Sequence, residues 1–368
     1  MIVKEVKARK IKDSRNEETI EVRVNGCRAS APSGKSKGKY ESRSYYRGIN
    51  FCIKFLNNWK DEIEINSFED LKKIEDEIKK KLKLKDIKSF GGNSLFAFES
   101  AILKALAKSQ KKELWQIINP DARILPIPIG NCIGGGLHSH RNKKPAFQEF
   151  LLIPDKSSFK ENYYLMRKIY FDIGKKIKSN KRNDEGAWET ELNEENILEI
   201  LNESNIKVGV DIAASTFYKK GKYNNLSREN FIKKINGLIQ KYNLFYVEDP
   251  LDEEDFRGYS FLKGNLIVGD DLTATRLQRI KKAMKRGVNA IIVKPNQNGS
   301  LLEVKEIIEF CKKNNLKTIL SHRSGETKDN ALSDYAFGFQ TDFIKSGIYG
   351  KVRRVKLKRL IRIEKNFA

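Results

Sequence analysis

Six short apolar runs in the chain each end in residues that can ionise. IKVGVD ends at Asp211, LFYVED at Glu248 and Asp249, and NLIVGDD at Asp270 and Asp271, while NAIIVK ends at Lys294, KTILSH at His322 and TDFIK at Lys345. Three carboxylates on separate elements, Asp211, Glu248 and Asp270, are hard oxygen ligands. They suit Mg²⁺, which keeps several waters and takes its remaining ligands from substrate. No Cys/His cluster accompanies them. The four cysteines, Cys27, Cys52, Cys132 and Cys311, lack C-x-x-C spacing and read as reduced thiols. Across from the acids stand Lys294, Lys345 and the run His322–Arg323–Ser324. Cations facing a metal site point to an anionic substrate, with arginine and serine suited to phosphate. A lysine near a second lysine and a divalent ion is expected to have a depressed pKa, which makes it usable as a base.

These residues need a scaffold that brings them together. Successive run ends are 37, 22, 24, 28 and 23 residues apart, each interval long enough for a strand, a loop and a helix. Helical periodicity over Arg228–Tyr242 and Leu301–Asn314 fills two of the intervals. A lone charged strand end is usually just solvated. A series of them reads instead as a repeated βα unit, and in a (β/α)8 barrel the C-terminal strand ends converge on one mouth. The expected fold is therefore α/β, a C-terminal (β/α)8-type barrel over 126–368 preceded by an N-terminal α+β capping domain over 1–125. In that first domain, Ile2–Ile11 and Thr19–Ser30 read as strands, with Ile20, Val22 and Val24 on the buried face. The loop Ala31–Glu41, rich in Gly, Ser and Lys, is either a lid or an ordinary surface loop. Ser67 with Asp70 marks a helix start, followed by a stripe of Leu71, Ile74 and Ile78. Phe90–Asn93 breaks the chain before a second helix over Leu95–Leu106, and NPDARILPIP leads into the barrel. The barrel opens on a Gly-rich turn at Gly130–Gly136, followed by His138 and His140. A helix over Lys160–Lys178 then precedes the acidic loop Asp184–Gly186.

Composition narrows the function classes. Apolar residues make up 39% of 368, with 20 Phe and 13 Tyr, which supports sizeable cores and excludes a disordered chain. There is no apolar run of membrane-spanning length and no signal-like N-terminus, so a soluble cytoplasmic protein with no membrane partner is expected. The net charge of +24 is spread through most helices, which favours solvated faces over nucleic-acid binding. The densest basic stretch is Lys351–Arg362.

Eleven segments in order resemble the enolase family: ARKIKDSR, APSGKSKG, GGLH, QEF, DEG, DIAAS, VEDP, GDDLTAT, KPNQNGS, SHRSGET and IKSG. The resemblance runs from about Ala8 to Glu364. It implies a Mg²⁺-dependent lyase that dehydrates 2-phospho-D-glycerate to phosphoenolpyruvate, with two metal sites. Asp211, Glu248 and Asp270 match the ligands of the tighter Mg²⁺, and Ser36 the lid serine that meets the second. Lys294 matches the base that removes the C2 proton. Glu185 matches the acid that assists departure of the C3 hydroxyl, with Glu149 beside it. Lys345 matches the lysine on the substrate carboxylate, Arg323 and Ser324 the phosphate contacts, with His322 adjoining them in the site. His138 matches the mobile-loop histidine and Gln148 a site-lining amide. A homodimer or higher homo-oligomer is expected. The loops depart from the family: Lys35 and Lys37 flank Ser36, Gly134 stands where asparagine is usual, and Ala187 where glycine is usual. A paralogue acting on another carboxylate, or an idle homologue binding anionic partners, remains as an alternative reading.

Overall fold

The structure is a computed structural model that describes residues 1–35 and 38–366. Its larger part is a closed eight-stranded barrel. The strands are β1 (Ile127–Gly134), β2 (Glu149–Ile153), β3 (Lys207–Asp211) and β4 (Tyr246–Glu248), then β5 (Leu266–Gly269), β6 (Ala290–Val293), β7 (Lys317–Ser321) and β8 (Phe343–Lys345). Neighbours pair in chain order, and β8 pairs with β1 to close the ring. Each of the six apolar runs forms a strand whose end lies within one residue of its charged group. Apolar side chains such as Ile129, Leu151, Tyr246, Val268, Ile292 and Ile319 form a separate core cluster, the filling of the barrel interior. The helices Arg228–Tyr242 and Leu301–Lys313 lie where the periodicity places them. Each begins on a serine whose hydroxyl accepts an otherwise orphaned backbone N–H, Ser227 from Asn230 and Ser300 from Glu303.

The ring has one reversed strand, and the Gly-rich turn expected at its start needs correction. The strands are not all parallel: β2 runs antiparallel to both β1 and β3, whereas the remaining ring pairs are parallel. Only residues 135–148 join β1 to β2, and they hold a single short 3₁₀ turn rather than a crossover helix. A parallel return usually runs through a crossover helix, and this link has none, so β2 folds back on β1 as a hairpin. The glycines of 130–134 are also strand, not turn. Gly134 leaves room for Asn183, since a Cβ there would lie 2.1 Å from Asn183 Nδ2 and would force that side chain to shift.

In the N-terminal part, a three-stranded antiparallel sheet (Val6–Lys12, Glu18–Val24 and Cys27–Ser30) packs against the helix Gly92–Ser109. Ile20, Val22 and Val24 are fully buried, as their alternation predicts. The expected strand over Thr19–Ser30 is really two, split by a turn at Asn25–Gly26 with φ of 45° and 82°. Asn-Gly is the strongest short hairpin signal, because both residues must adopt φ > 0. Ile2–Ile11 is likewise broken, with Ile2–Val3 pairing instead with Ile63–Glu64. Ahead of the helix Leu71–Leu82, Asp70 is the N-cap residue, and its carboxylate accepts the Asn66 and Ser67 N–H at 2.8 and 3.1 Å, so the chain turns at the expected start.

The basic run Lys351–Arg362 lies in the last helix, Lys351–Lys365, but is not a uniform charged face. Arg353, Lys356 and Arg359 are buried. Arg353 donates to the backbone oxygens of Arg323 and Ser324, Lys356 pairs with Glu326 at 2.6 Å, and Arg359 pairs with Asp334 at 2.6 Å. No helix among the described residues is long and apolar enough to cross a membrane.

Candidate active site

The charged strand ends meet at one rim of the barrel. A cleft of about 70 Å³ there is lined by His138, Gln148, Glu149, Glu185, Asp211, Asp270, Lys294, His322, Arg323, Ser324 and Lys345, with Gly34, Lys35 and Glu41 arriving from the N-terminal domain. Glu248 is fully buried and bonded to Lys345 behind this lining. Ser36 and its neighbour Lys37 lie outside the described residues.

Parallel register sets Asp211 beside Glu248. The two do not close on each other, because Lys345 bridges them. Its Nζ is 2.7 Å from Glu248, 2.8 Å from Glu149 and 3.5 Å from Asp211. Burial pushes the Asp211 carboxyl well above its usual range, and the neighbouring Glu248 charge adds to this. Glu248 is raised for the same first reason, with Lys345 opposing. Burial disfavours the charged lysine at Lys345, but Glu149, Glu248 and Asp211 outweigh it and hold its pKa well above the ordinary value. Tyr246, two residues before Glu248, donates its hydroxyl to Glu248 Oε2 at 2.5 Å.

Lys294 forms an ion pair with Asp270. Burial works against the lysine charge, yet Asp270 raises the Lys294 pKa above the ordinary value. The Asp270 pair sets this direction, whereas the expected depression is for a lysine beside a divalent ion, and the nearby cation that opposes protonation is Arg323. Asp270 is correspondingly lowered despite its burial, with Lys294 the main cause.

On another part of the rim, Glu185 sits between two histidines. Its carboxyl oxygens lie 3.9 Å from His138 Nδ1 and 3.9 Å from His322 Nε2. Burial favours its neutral form, but the charge of His138, a hydrogen bond with Glu149 and the charges of Arg353 and Lys345 hold its pKa down to about 2. His138 is raised: burial lowers it, and Glu185 and Glu149 more than compensate. His322 is pushed well below the usual value by burial and by Arg353, whose Nη1 lies 2.6 Å from its Nδ1. His322 is therefore a neutral ring fixed by the last helix. Gln148 reaches Asp211 Oδ2 at 3.3 Å.

Metal fit can be tested on the oxygens themselves. Glu248 Oε1 and Asp270 Oδ1 are buried and accept no hydrogen bond. A buried orphan carboxylate oxygen is costly unless an ion or water meets it, and the donors on offer are all hard oxygens. Glu248 and Asp270 therefore fit a divalent cation such as Mg²⁺, with Asp211 beside Glu248 in register but its oxygens already accepting from Ala213 and Gln148. Among the described residues, the sets whose ligand atoms lie within 4.8 Å of one another are His138–Glu149–Glu185 and Asp249–Asp270–Asp271. In the second set Asp249 is already engaged, accepting from the Asp270 and Asp271 amides at 3.0 and 2.6 Å. It shapes the turn that aims Asp270, from a backbone φ of 38°.

Sequence reasoning missed several contributors. Asp249 was visible only as the second acid of a pair. Asn183 fills the space that Gly134 leaves open, and its Oδ1 accepts the Glu185 and Ala187 amides, both at 3.0 Å. The glycine at a usual asparagine position thus has a local partner. Glu41 binds Arg323 with both carboxylate oxygens 3.0 Å from Nη2. Ser324 Oγ accepts the Lys35 N–H at 2.8 Å, and Lys35 Nζ lies 3.0 Å from Asp184.

Comparison with known proteins agrees with this architecture. The model for the enolase N-terminal domain matches residues 3–118, and that for the enolase C-terminal TIM barrel domain matches 122–368. The chain is 34% identical to the enolase of Sulfurisphaera tokodaii over 99% of this chain and 96% of that protein. It is 35% identical to the enolase of Methanosphaera stadtmanae, over 99% and 97%. Against the enolase of Thermoplasma acidophilum it is 33% identical over 98% of both chains. A barrel with one reversed strand, acids and lysines gathered at its rim, and matches to both domain models across nearly the whole length lead to one conclusion: this chain belongs to the enolase family of lyases.

Proposed function

We propose that the chain is a phosphopyruvate hydratase, interconverting 2-phospho-D-glycerate and phosphoenolpyruvate in glycolysis and gluconeogenesis with two Mg²⁺. One observation supports this reading beyond family membership. The described groups such a reaction needs come from separate strand ends and loops, yet they line one cleft or lie directly behind it. The two anionic ends of the substrate match Lys345 and the pair Arg323–Ser324. Lys294 Nζ accepts the C2 proton, and the electron pair left on C2 delocalises into the adjacent carboxylate. It then forms the C2–C3 double bond as the C3–O bond breaks, and the leaving oxygen takes a proton from Glu185 and departs as water.

The observed pKa directions set conditions on both residues. The Asp270 pair favours protonated Lys294, so Asp270 must be engaged elsewhere before Lys294 can act as base. Mg²⁺ on Asp211, Glu248 and Asp270 would compete for Asp270 and supply positive charge to the carboxylate as it gains a second negative charge. A second Mg²⁺ with Ser36 belongs to the same proposal. Glu185, held at about 2, is ionised as it stands. A multiply charged acid beside it raises its proton affinity, because like charges disfavour ionisation. The same reading takes residues 1–125 as a cap and 126–368 as the catalytic barrel of a cytoplasmic homodimer or higher homo-oligomer.

The experiment is to mix purified protein, Mg²⁺ and 2-phosphoglycerate and follow ultraviolet absorbance of the enol product, which should vanish with chelator. Lys294→Ala should abolish exchange of the C2 proton with solvent. Glu185→Gln should keep part of that exchange while stopping dehydration, since the carbanion forms before the hydroxyl leaves. Equal loss of exchange in both variants contradicts the role assignment. No enol product at all rejects the activity in favour of another carboxylate substrate or an anion-binding role.

A further inference from the structure

The described part of the anion pocket contains an acid where a phosphate-binding site calls for bases. Glu41 stands at the far foot of the loop that carries Lys35. Its side chain is 7% exposed and that of its partner Arg323 5%. Both oxygens accept from Arg323 Nη2 at 3.0 Å. Oε1 also accepts the Gly38 N–H at 3.0 Å and Gln297 Nε2 at 3.1 Å. Gln297 is fixed in turn, its Oε1 accepting the Thr275 hydroxyl at 2.7 Å. Arg323 Nη1 donates to Asn296 Oδ1 at 3.4 Å. The carboxylate is thus held from its own loop and from the helix after β6, and is not a side chain that happens to touch an arginine.

We propose that Glu41 is an affinity-setting counter-charge for the phosphate subsite, sharing Arg323 with the incoming anion and keeping that anion from binding too tightly. This inference rests on the reading of Arg323 and Ser324 as phosphate contacts. Its physical basis is a trade between two effects. A buried arginine needs a partner before any ligand arrives, because an uncompensated charge in such a place is strongly destabilising. The same partner is a fixed negative charge beside the phosphate and repels it at short range in a low-dielectric cleft. Binding that is equally strong in ground and transition states lowers KM without raising kcat, so weakening it leaves the chemical step unchanged and speeds release of the phosphorylated product. Glu41 also ties the loop foot to Arg323, which places the affinity control where the N-terminal domain meets the barrel.

Calorimetric titration with inorganic phosphate separates this proposal from the reading beneath it. Wild type should bind phosphate, and Arg323→Ala should lose that binding. Glu41→Gln keeps an acceptor oxygen toward Gly38 and Arg323 but removes the charge, and should bind phosphate at least fivefold tighter. Glu41→Ala should shift in the same direction, which guards against a local effect of the amide. In steady state, Glu41→Gln should lower KM for 2-phosphoglycerate and lower kcat with it, a split that a merely structural defect would not produce. Phosphate affinity that is unchanged or weaker in either Glu41 variant, with Arg323→Ala still defective, overturns the counter-charge and leaves the proposed function standing. Equal phosphate binding by wild type and Arg323→Ala overturns both.

Discussion

Lys345 is the cation that three buried carboxylates of the site share. It compensates Glu149, Glu248 and Asp211 at once from a nearly dry position. Breaking a buried pair by removing one partner costs about 3–5 kcal/mol, because the other charge is left uncompensated. Lys345→Met should therefore lose about that much stability in urea titration at pH 7. The sign with pH follows from the acids it leaves behind. Asp211 and Glu248 already bind protons more strongly folded than unfolded, and without the lysine they do so further. The variant should regain stability as pH falls toward 4, where the folded form takes up protons ahead of the unfolded one. A loss below about 1 kcal/mol, or one that ignores pH, would show that the acids are compensated by other groups.

At the scale of the element, the helix Gly92–Ser109 contains a buried acid remote from the chemistry. Glu99 is fully buried, and its Oε2 accepts the Leu301 N–H at 2.7 Å, where a barrel helix begins. Burial, reinforced by Glu75 from the neighbouring helix, raises its pKa well above the usual carboxylate range. Folded Glu99 is protonated over a window in which unfolded Glu99 is not. Stability is therefore greatest below the unfolded pKa of about 4.3 and falls as pH rises toward the folded value. Glu99→Gln preserves the acceptor for Leu301 and removes the titration. It should be more stable than wild type at pH 8, with no gain near pH 4. Chemical denaturation at both pH values checks this, and a constant difference would refute it. Much at this scale was legible in the sequence. The barrel strands announced themselves because a strand buried on both faces must be apolar until it reaches the rim, where a charge marks its end. The reversal of β2 was not legible, because Glu149–Ile153 reads the same in either direction and only the linker before it decides. Glu41 was hidden for another reason: its partner is 282 residues away, and no local pattern reports such a contact. The inward set Arg353, Lys356 and Arg359 recurs every three residues, a helical spacing that a count of charges passes over.

For the whole molecule, the question is whether the two parts unfold together. Several buried contacts cross between them: Glu99 to the Leu301 amide, Ser100 Oγ to Tyr335 at 2.7 Å, and Asn93 Oδ1 to Asn296 at 2.9 Å. Lys104 adds an ion pair to Asp329 at 2.7 Å. Melting one part alone would forfeit all of these contacts and expose the buried surface around them to water. Scanning calorimetry should therefore show one transition whose calorimetric and van't Hoff enthalpies agree, and Lys104→Met should lower its midpoint without splitting it. Two resolved peaks would mean that the parts hold themselves up independently. The reversed strand has its own consequence for how the chain travels. Because β2 descends, the segment that follows it leaves from the closed end of the barrel, and β3 must start from that same end. The intervening chain has to make a round trip, out along the helix Phe159–Lys176 and back along Glu194–Asn202. Its turning point falls at the open end, where Trp188–Glu189 docks beside the end of β1. Glu185 rides on that summit, so its place over the site follows from a route that must turn around before it can come home.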